Sequence, residues 1–243
     1  MNIHTLSLFP ELIKNALSEG VIQKAVKNKL LSLNYYDLRD FGIGKYKQVD
    51  DTIYGGGPGM VLKPEPIFDG VNKIKSDNMI DDCPVILMSP QGKVLNQKKA
   101  KKISKYKDII VIAGRYEGVD ERIVSNLVSD EISIGDYILT GGELPAAIFI
   151  EVVTRMIPGV VGNIESIELD SITNKMLKYP VYTKPKIFRG IEVPDILFSG
   201  NHKEISEWRQ KKSYENTKNL RLTCIWKSLA FGEAKMNGRQ KEI

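Results

Sequence analysis

Three glycine-bearing runs stand out as the places where this chain could do chemistry. They are Ser89-Pro90-Gln91-Gly92, Gly114-Arg115-Tyr116-Glu117-Gly118, and the longer run from Gly135-Asp136-Tyr137 through Gly141-Gly142-Glu143-Leu144-Pro145. Each follows a short apolar stretch fit for a buried strand: Val85–Met88, Ile109–Ala113 and Glu131–Ile134. Ligands of open α/β sheets bind beyond the carboxyl ends of the strands, where such turns converge. Glycines there let the backbone approach a flat ligand and offer its amides and carbonyls to a purine edge. The plainer alternative is three tight strand-to-helix turns that hold nothing.

Other chemistries lack their residues. There is no P-loop signature, no dinucleotide-binding glycine fingerprint between a strand and a helix, and no zinc-protease motif. Two histidines, His4 and His202, are too few for a His-rich metal site and leave little for a serine-type triad. Cys83 and Cys224 lie far apart in no metal-binding spacing, and read as reduced thiols of a cytosolic protein.

The elements that must position these turns follow from periodicity. Ile3–Leu8 and Leu31–Tyr36 read as strands, with a helix opened by Phe9-Pro10 and another from after Ser18 to near Asn28 between them. Asn96 is placed to cap a helix whose inner face carries Ala100, Ile103 and Tyr106. A further helix begins near Asp120, with Ile123 and Leu127 inward. Pro145 sits in the first turn of an apolar helix that Pro158-Gly159 stops. Strands apolar throughout, alternating with helices, predict a parallel sheet covered on both faces. The segment from Asp40 to Pro66, with Gly55-Gly56-Gly57-Pro58-Gly59, reads as a long functional loop or as disorder.

At 243 residues, 42% hydrophobic and 27% charged, the chain is long enough to bury a core without disulfides or metal. No apolar run reaches the roughly 18 residues that would span a bilayer, and the first residues lack signal-peptide character, so a cytoplasmic location without membrane is expected. Charge is uneven. Residues 171–243 hold 15 Lys/Arg against 7 Asp/Glu, a net +8, which leaves −3 for residues 1–170 of the total +5. A basic C-terminal third suits a polyanion, or simply a solvated helical surface. From Glu204 onward the pattern is helical, with Trp208, Leu220, Ile225, Trp226 and Leu229 as expected core.

Taken together the motifs carry a resemblance. The run from Asp50-Asp51 to Gly55-Gly56-Gly57-Pro58-Gly59-Met60, the turns at 114–118 and 134–145, Ile157-Pro158-Gly159-Val160, Ser199-Gly200-Asn201-His202 and Trp208-Arg209 are similar to those of the bacterial tRNA (guanine-N1)-methyltransferases of the SPOUT class. They occur in order from about residue 3 to 210 with family-like spacing.

The resemblance implies a SPOUT-type α/β fold whose parallel sheet contains a deep trefoil knot, an arrangement that chain-connection rules make very rare. It implies a knotted S-adenosyl-L-methionine (SAM) domain over 1–160, a linker over 161–186 and a small helical, basic tRNA-binding domain over 187–243. The SAM contacts it implies are Leu87, Ser89 and Pro90; Gly114, Tyr116 and Glu117; and Ile134, Gly135, Asp136, Tyr137, Ile138, Leu139, Gly141, Gly142 and Pro145. The methylated atom would be N1 of the guanine 3′ to the anticodon. Asp170 would be the general base and Arg155 the cation at O6. Glu117 would be associated with Mg²⁺, and the enzyme would be a homodimer with composite sites. Read alone, Asp170 is an ordinary loop aspartate, and Arg155 is an i,i+4 partner for Glu151.

The chain departs from the family pattern at Tyr46, Ile53, Ile172, Val181 and Lys184, which bears on details of tRNA contact. Two alternatives stay open: a non-catalytic RNA-binding protein on this fold, and a methyltransferase acting on another RNA base.

Overall fold

The computed structural model describes residues 1–161 and 176–220. The chain divides into two compact units, Met1–Gly162 and Asn163–Ile243.

The first unit is built on a five-stranded sheet of order β2-β1-β6-β5-β7, parallel at every pairing. Its strands are β1 (Asn2–Ser7), β2 (Ser32–Asp37), β5 (Val85–Val94), β6 (Asp108–Ala113) and β7 (Asp130–Ser133). A short antiparallel hairpin, β3 (Asp50–Thr52) and β4 (Met60–Leu62), stands apart from that sheet. The helices are α1 (Pro10–Ala16), α2 (Gly20–Lys27), α3 (Pro64–Asp77), α4 (Gln97–Ile103), α5 (Glu121–Asn126) and α6 (Glu143–Thr154).

Period-2 alternation in the buried strands sorts the core into two layers. Ile109, Val111 and Ala113 of β6 face Ile13, Ile22, Ala100, Phe149 and Val153 from α1, α2, α4 and α6. Ile110 and Ile112 face the other way, toward Ile67, Val71 and Ile74 of α3 and Ile123 of α5. Phe149 is fully buried, and a side chain of that size contributes on the order of 2–3 kcal/mol by leaving water.

Local caps behave as the residue types require. The Asn96 side chain accepts from the Lys99 amide at 2.9 Å, and the Asp120 side chain accepts from the Arg122 amide at 2.9 Å. Tyr106, expected on the inner face of α4, is instead 41% exposed, because the helix ends at Ile103.

Two features of this unit lie outside the elements expected from the sequence. Helix α3 starts at the end of the segment read as irregular and runs through residues given no element, although Ile67, Val71 and Ile74 keep helical spacing; Gly70 lies among them. A Cβ there would come within 2.8 Å of Leu6 Cδ2, so close packing on the sheet requires a residue that ordinarily disfavours helix by about 1 kcal/mol. Strand β5 does not stop at Met88 either. Ile132 pairs with both Met88 and Lys93, so Ser89–Gly92 bulges out and the chain rejoins β7.

His4, in the middle of β1, is 1% exposed, and neither ring nitrogen has a hydrogen-bond partner. Its Nε2 lies 3.8 Å from the Asp108 carboxylate. Burial holds its pKa below the usual value, with Asp108 opposing weakly. The folded ring is therefore neutral, and the unfolded chain takes up a proton first as pH falls. Stability should be fully present above about pH 6.5 and decline below it, toward the lowered folded value. Urea unfolding at about pH 7.5 and pH 5.5 should show this loss, and His4→Leu should remove most of it.

In the second unit, the described part holds a hairpin of β8 (Ile187–Phe188) and β9 (Ile191–Glu192), followed by a basic helix α7 (His202–Leu220). Buried Ser213 and Thr217 anchor α7. The Ser213 hydroxyl donates to the Leu177 carbonyl, and Thr217 Oγ1 accepts from the Leu177 amide at 2.8 Å. Trp208 is half-buried, but Leu220 is 74% exposed at the end of the described helix and is not core there. Ile225, Trp226 and Leu229 lie outside the described residues. The hairpin makes this unit more than purely helical.

Candidate active site

The chain passes from β5 through α4 to β6, and then through α5 to β7 on the far side of β5. That reversal brings the turns after β5, β6 and β7 to one edge of the sheet, the place where open α/β sheets hold ligands. A cavity of about 280 Å³ opens there. It is just below the range of roughly 300–1,000 Å³ usual for small-molecule sites.

Fourteen of the fifteen residues singled out for cofactor contact line this cavity. Leu87, Ser89 and Pro90 come from the first turn; Gly114, Tyr116 and Glu117 from the second; Ile134, Gly135, Tyr137, Ile138, Leu139, Gly141, Gly142 and Pro145 from the third. Asp136 does not line it, although both neighbours do. Tyr116 adopts a positive φ of 61°, a conformation that costs a non-glycine residue energy and is concentrated at functional turns. Tyr137, Ile138 and Leu139 are exposed along one wall of the cavity, and the Tyr137 hydroxyl donates to the Ile134 carbonyl at 3.3 Å. The glycine-rich hairpin loop at 55–59 is not part of the lining, but it borders the second turn: the Glu117 amide donates to the Met60 carbonyl at 3.0 Å.

The second and third turns are held to each other. The Gly142 amide donates to the Gly114 carbonyl at 2.7 Å, and Arg115 bridges to Gly141. Beneath this contact lies an ion pair that the sequence reading did not single out. Arg115 Nε donates to both carboxylate oxygens of Glu143, at 3.2 and 3.1 Å, and the Ser7 hydroxyl donates to Glu143 Oε1 at 3.0 Å. Glu143 is 1% exposed, so its charge depends on these partners and on its place at the start of α6, where the helix dipole favours an anion. The Arg115 guanidinium also stacks 4.4 Å above the Phe9 ring. The network thus ties the end of β1, the second turn and the third turn into one support.

Arg155 lies elsewhere. It closes α6 at the end opposite the cavity, and is exposed, as is Glu151. Pro145 lines the cavity, and ten residues of helix put Arg155 roughly 15 Å further along the axis. Asp170 lies outside the described residues. Among the described residues no group of three or more His, Cys, Asp or Glu side chains could hold a metal ion. No helix among them is long and apolar enough to cross a membrane.

Comparison with known proteins agrees over nearly the whole chain. Residues 1–227 match the profile of the family described as tRNA (Guanine-1)-methyltransferase TrmD. A tRNA (guanine-N(1)-)-methyltransferase of Clostridioides difficile is 46% identical over 228 residues, covering 94% of this chain and 99% of that protein. Those of Staphylococcus aureus and Fervidobacterium nodosum are 46% and 50% identical, covering 93% and 89% of this chain and 91% and 87% of theirs. The chain with this cavity therefore belongs to the tRNA (guanine-1)-methyltransferase family.

Proposed function

We propose that this protein is a cytoplasmic, SAM-dependent methyltransferase acting on N1 of the guanine 3′ to the anticodon of tRNA. The observation that carries the reading is the convergence of three glycine-rich turns on one cavity, in a chain of this family. The lining suits SAM. Apolar Leu87, Ile134, Leu139 and Pro145 flank backbone amides and carbonyls that glycine leaves uncovered, as a purine ring with polar edges requires. The same reading takes the turns at 114–118 and 134–145 as the loops of the family's trefoil knot.

When bound, SAM supplies an electrophilic methyl group. The residues of this chain do the rest. N1 of guanine carries a proton, and its electron pair becomes free to form the N–CH₃ bond only as that proton leaves. Asp170 accepts it as general base. Negative charge that moves toward O6 is met by the Arg155 guanidinium. Glu117, which lines the cavity, would offer one carboxylate to Mg²⁺, and the described residues build no complete ion site around it.

The separation of Arg155 from the cavity supports a homodimer in which one subunit offers the SAM turns and the other the base. So does the exposed face of α6. Leu144 and Ile148, 53% and 43% exposed, fall on one stripe with Glu151 and Arg155, beside exposed Leu12 of α1. Exposed apolar side chains on this helix face are compatible with its being covered by a second copy. The basic second unit then faces the phosphates of the tRNA.

The direct test is mass spectrometry of nucleosides from unmodified tRNA incubated with the protein and SAM. The expected product is 1-methylguanosine at a single site. A different methylated nucleoside would change the target base, and none at all would favour an RNA-binding role.

A further inference from the structure

The charge asymmetry of the whole chain conceals a local one. Between Lys93 and Lys107 the sequence has seven lysines and no acidic residue, although residues 1–170 are net negative. Lys99 is spoken for, 2.7 Å from Asp130. The other six are exposed and, among the described residues, form no ion pair. Elsewhere in the same unit Lys14, Lys47, Lys63 and Lys73 pair with Glu11, Asp40, Asp51 and Asp77, and the lysines left without an ion pair among the described residues, Lys24, Lys27, Lys29, Lys45 and Lys75, make no run as long as this one.

The arrangement is mixed for α4 itself: Lys101 and Lys102 in its last turn suit the helix dipole, but the lysines crowd one another. Lys98, Lys101, Lys102 and Lys105 fall at i, i+3, i+4 and i+7, which puts four like charges on one face in and just beyond the helix, where they repel. The first turn of α4 holds no acidic residue to complement the dipole. Buried Ala100 and Ile103 hold the opposite face to the core, so the lysines point to solvent. The position matters as well. Helix α4 packs against α6, and Gln97 Nε2 lies 3.5 Å from Met156 Sδ, next in the chain to Arg155.

We infer that the lysine-rich face of α4 is a phosphate-contact surface for the tRNA, beside the guanine-facing end of α6 and additional to the basic second unit. The inference rests on the tRNA reading above. A polyanion offsets the self-repulsion of the stripe, and each lysine that neutralises a phosphate releases a counterion.

The test is a full-length triple variant, Lys98→Gln, Lys101→Gln, Lys102→Gln, with tRNA affinity measured across a salt series. The slope of log affinity against log salt should fall in magnitude by roughly 2–3 relative to the wild type. Thermal stability should rise or hold, because repulsion has been removed. That pair of opposite changes is one that a structural role would not produce. An unchanged slope in the variant, with the wild type binding tRNA, overturns the surface and leaves the functional reading intact. So does a marked fall in thermal midpoint, or loss only of binding to phosphatidylserine vesicles, which would assign the stripe to the fold or to a membrane. Failure of the wild type to bind tRNA would overturn both.

Discussion

Gly142→Val is expected to abolish SAM binding while the protein still unfolds cooperatively. A Cβ at this position would stand 2.7 Å from the Gly114 amide nitrogen and 3.0 Å from Ala113 Cα. Both are backbone atoms at the end of a central strand and cannot swing aside as a flexible side chain would. The two turns must separate, and the 2.7 Å hydrogen bond from the Gly142 amide to the Gly114 carbonyl must break. Both turns line the cavity, so its shape fails with the contact. Calorimetry should show SAM affinity reduced at least about 100-fold, equivalent to roughly 2.7 kcal/mol. Unchanged affinity would remove these turns from the cofactor site. Other glycines of the third turn would act differently. A Cβ at Gly141 would meet Arg115 Nε and Glu143 Oε2 at 2.5 Å and disturb the supporting ion pair, whereas at Gly135 it would meet the Tyr137 ring at 2.6 Å.

The fold was legible wherever local chemistry and global packing agree. In β6, Ile109–Ala113 is apolar at every position because both faces are covered, and it reads as a buried strand without ambiguity. Asn96 and Asp120 cap the helices that follow them, as short polar side chains with local acceptors do. Helix α3 carries local signals that the sequence reading left unused, Pro64 in its first turn and Ile67, Val71 and Ile74 at helical spacing; only Gly70 has a tertiary reason, close packing on Leu6, a strand residue far away in sequence. The order β2-β1-β6-β5-β7 is likewise a property of which strands pair, and periodicity along one strand carries no information about its neighbours.

The site divides along the same line. The three turns were legible because glycine, proline and polar residues at strand ends are local signals, and they converge on one cavity. The Arg115–Glu143–Ser7 support was not. Its members come from three separate elements, with Ser7 and Glu143 136 residues apart, and a single Ser at a strand end is unremarkable in sequence. The run Gly114-Arg115-Tyr116-Glu117-Gly118 held a hint, since an Arg among cavity glycines needs an anion to face. Roles for Arg155 and Asp170 came only from resemblance, because one ends a helix about 15 Å from the cavity by helical rise and the other lies outside the described residues.

Asp170→Ala is expected to lower the single-turnover methylation rate at least about 100-fold while SAM still binds. The carboxylate serves the N1 proton of guanine rather than the cofactor, so cofactor affinity and chemistry should separate. Near wild-type turnover at neutral pH would remove Asp170 from the role of base. The same variant tests the composite site. Two-fold symmetry builds two equivalent sites per dimer, each with SAM turns from one subunit and the base from the other. A homodimer of Gly142→Val lacks usable turns at both sites, and a homodimer of Asp170→Ala lacks both bases. In a dimer of one subunit of each kind, both defects fall on one site. The other site joins intact turns to an intact Asp170. Co-expression with two different tags and sequential purification isolates that mixed dimer, which should recover about half the wild-type activity. A mixed dimer as inactive as its parents would place base and cofactor on one chain, or require both sites to act together, and either outcome overturns the shared site.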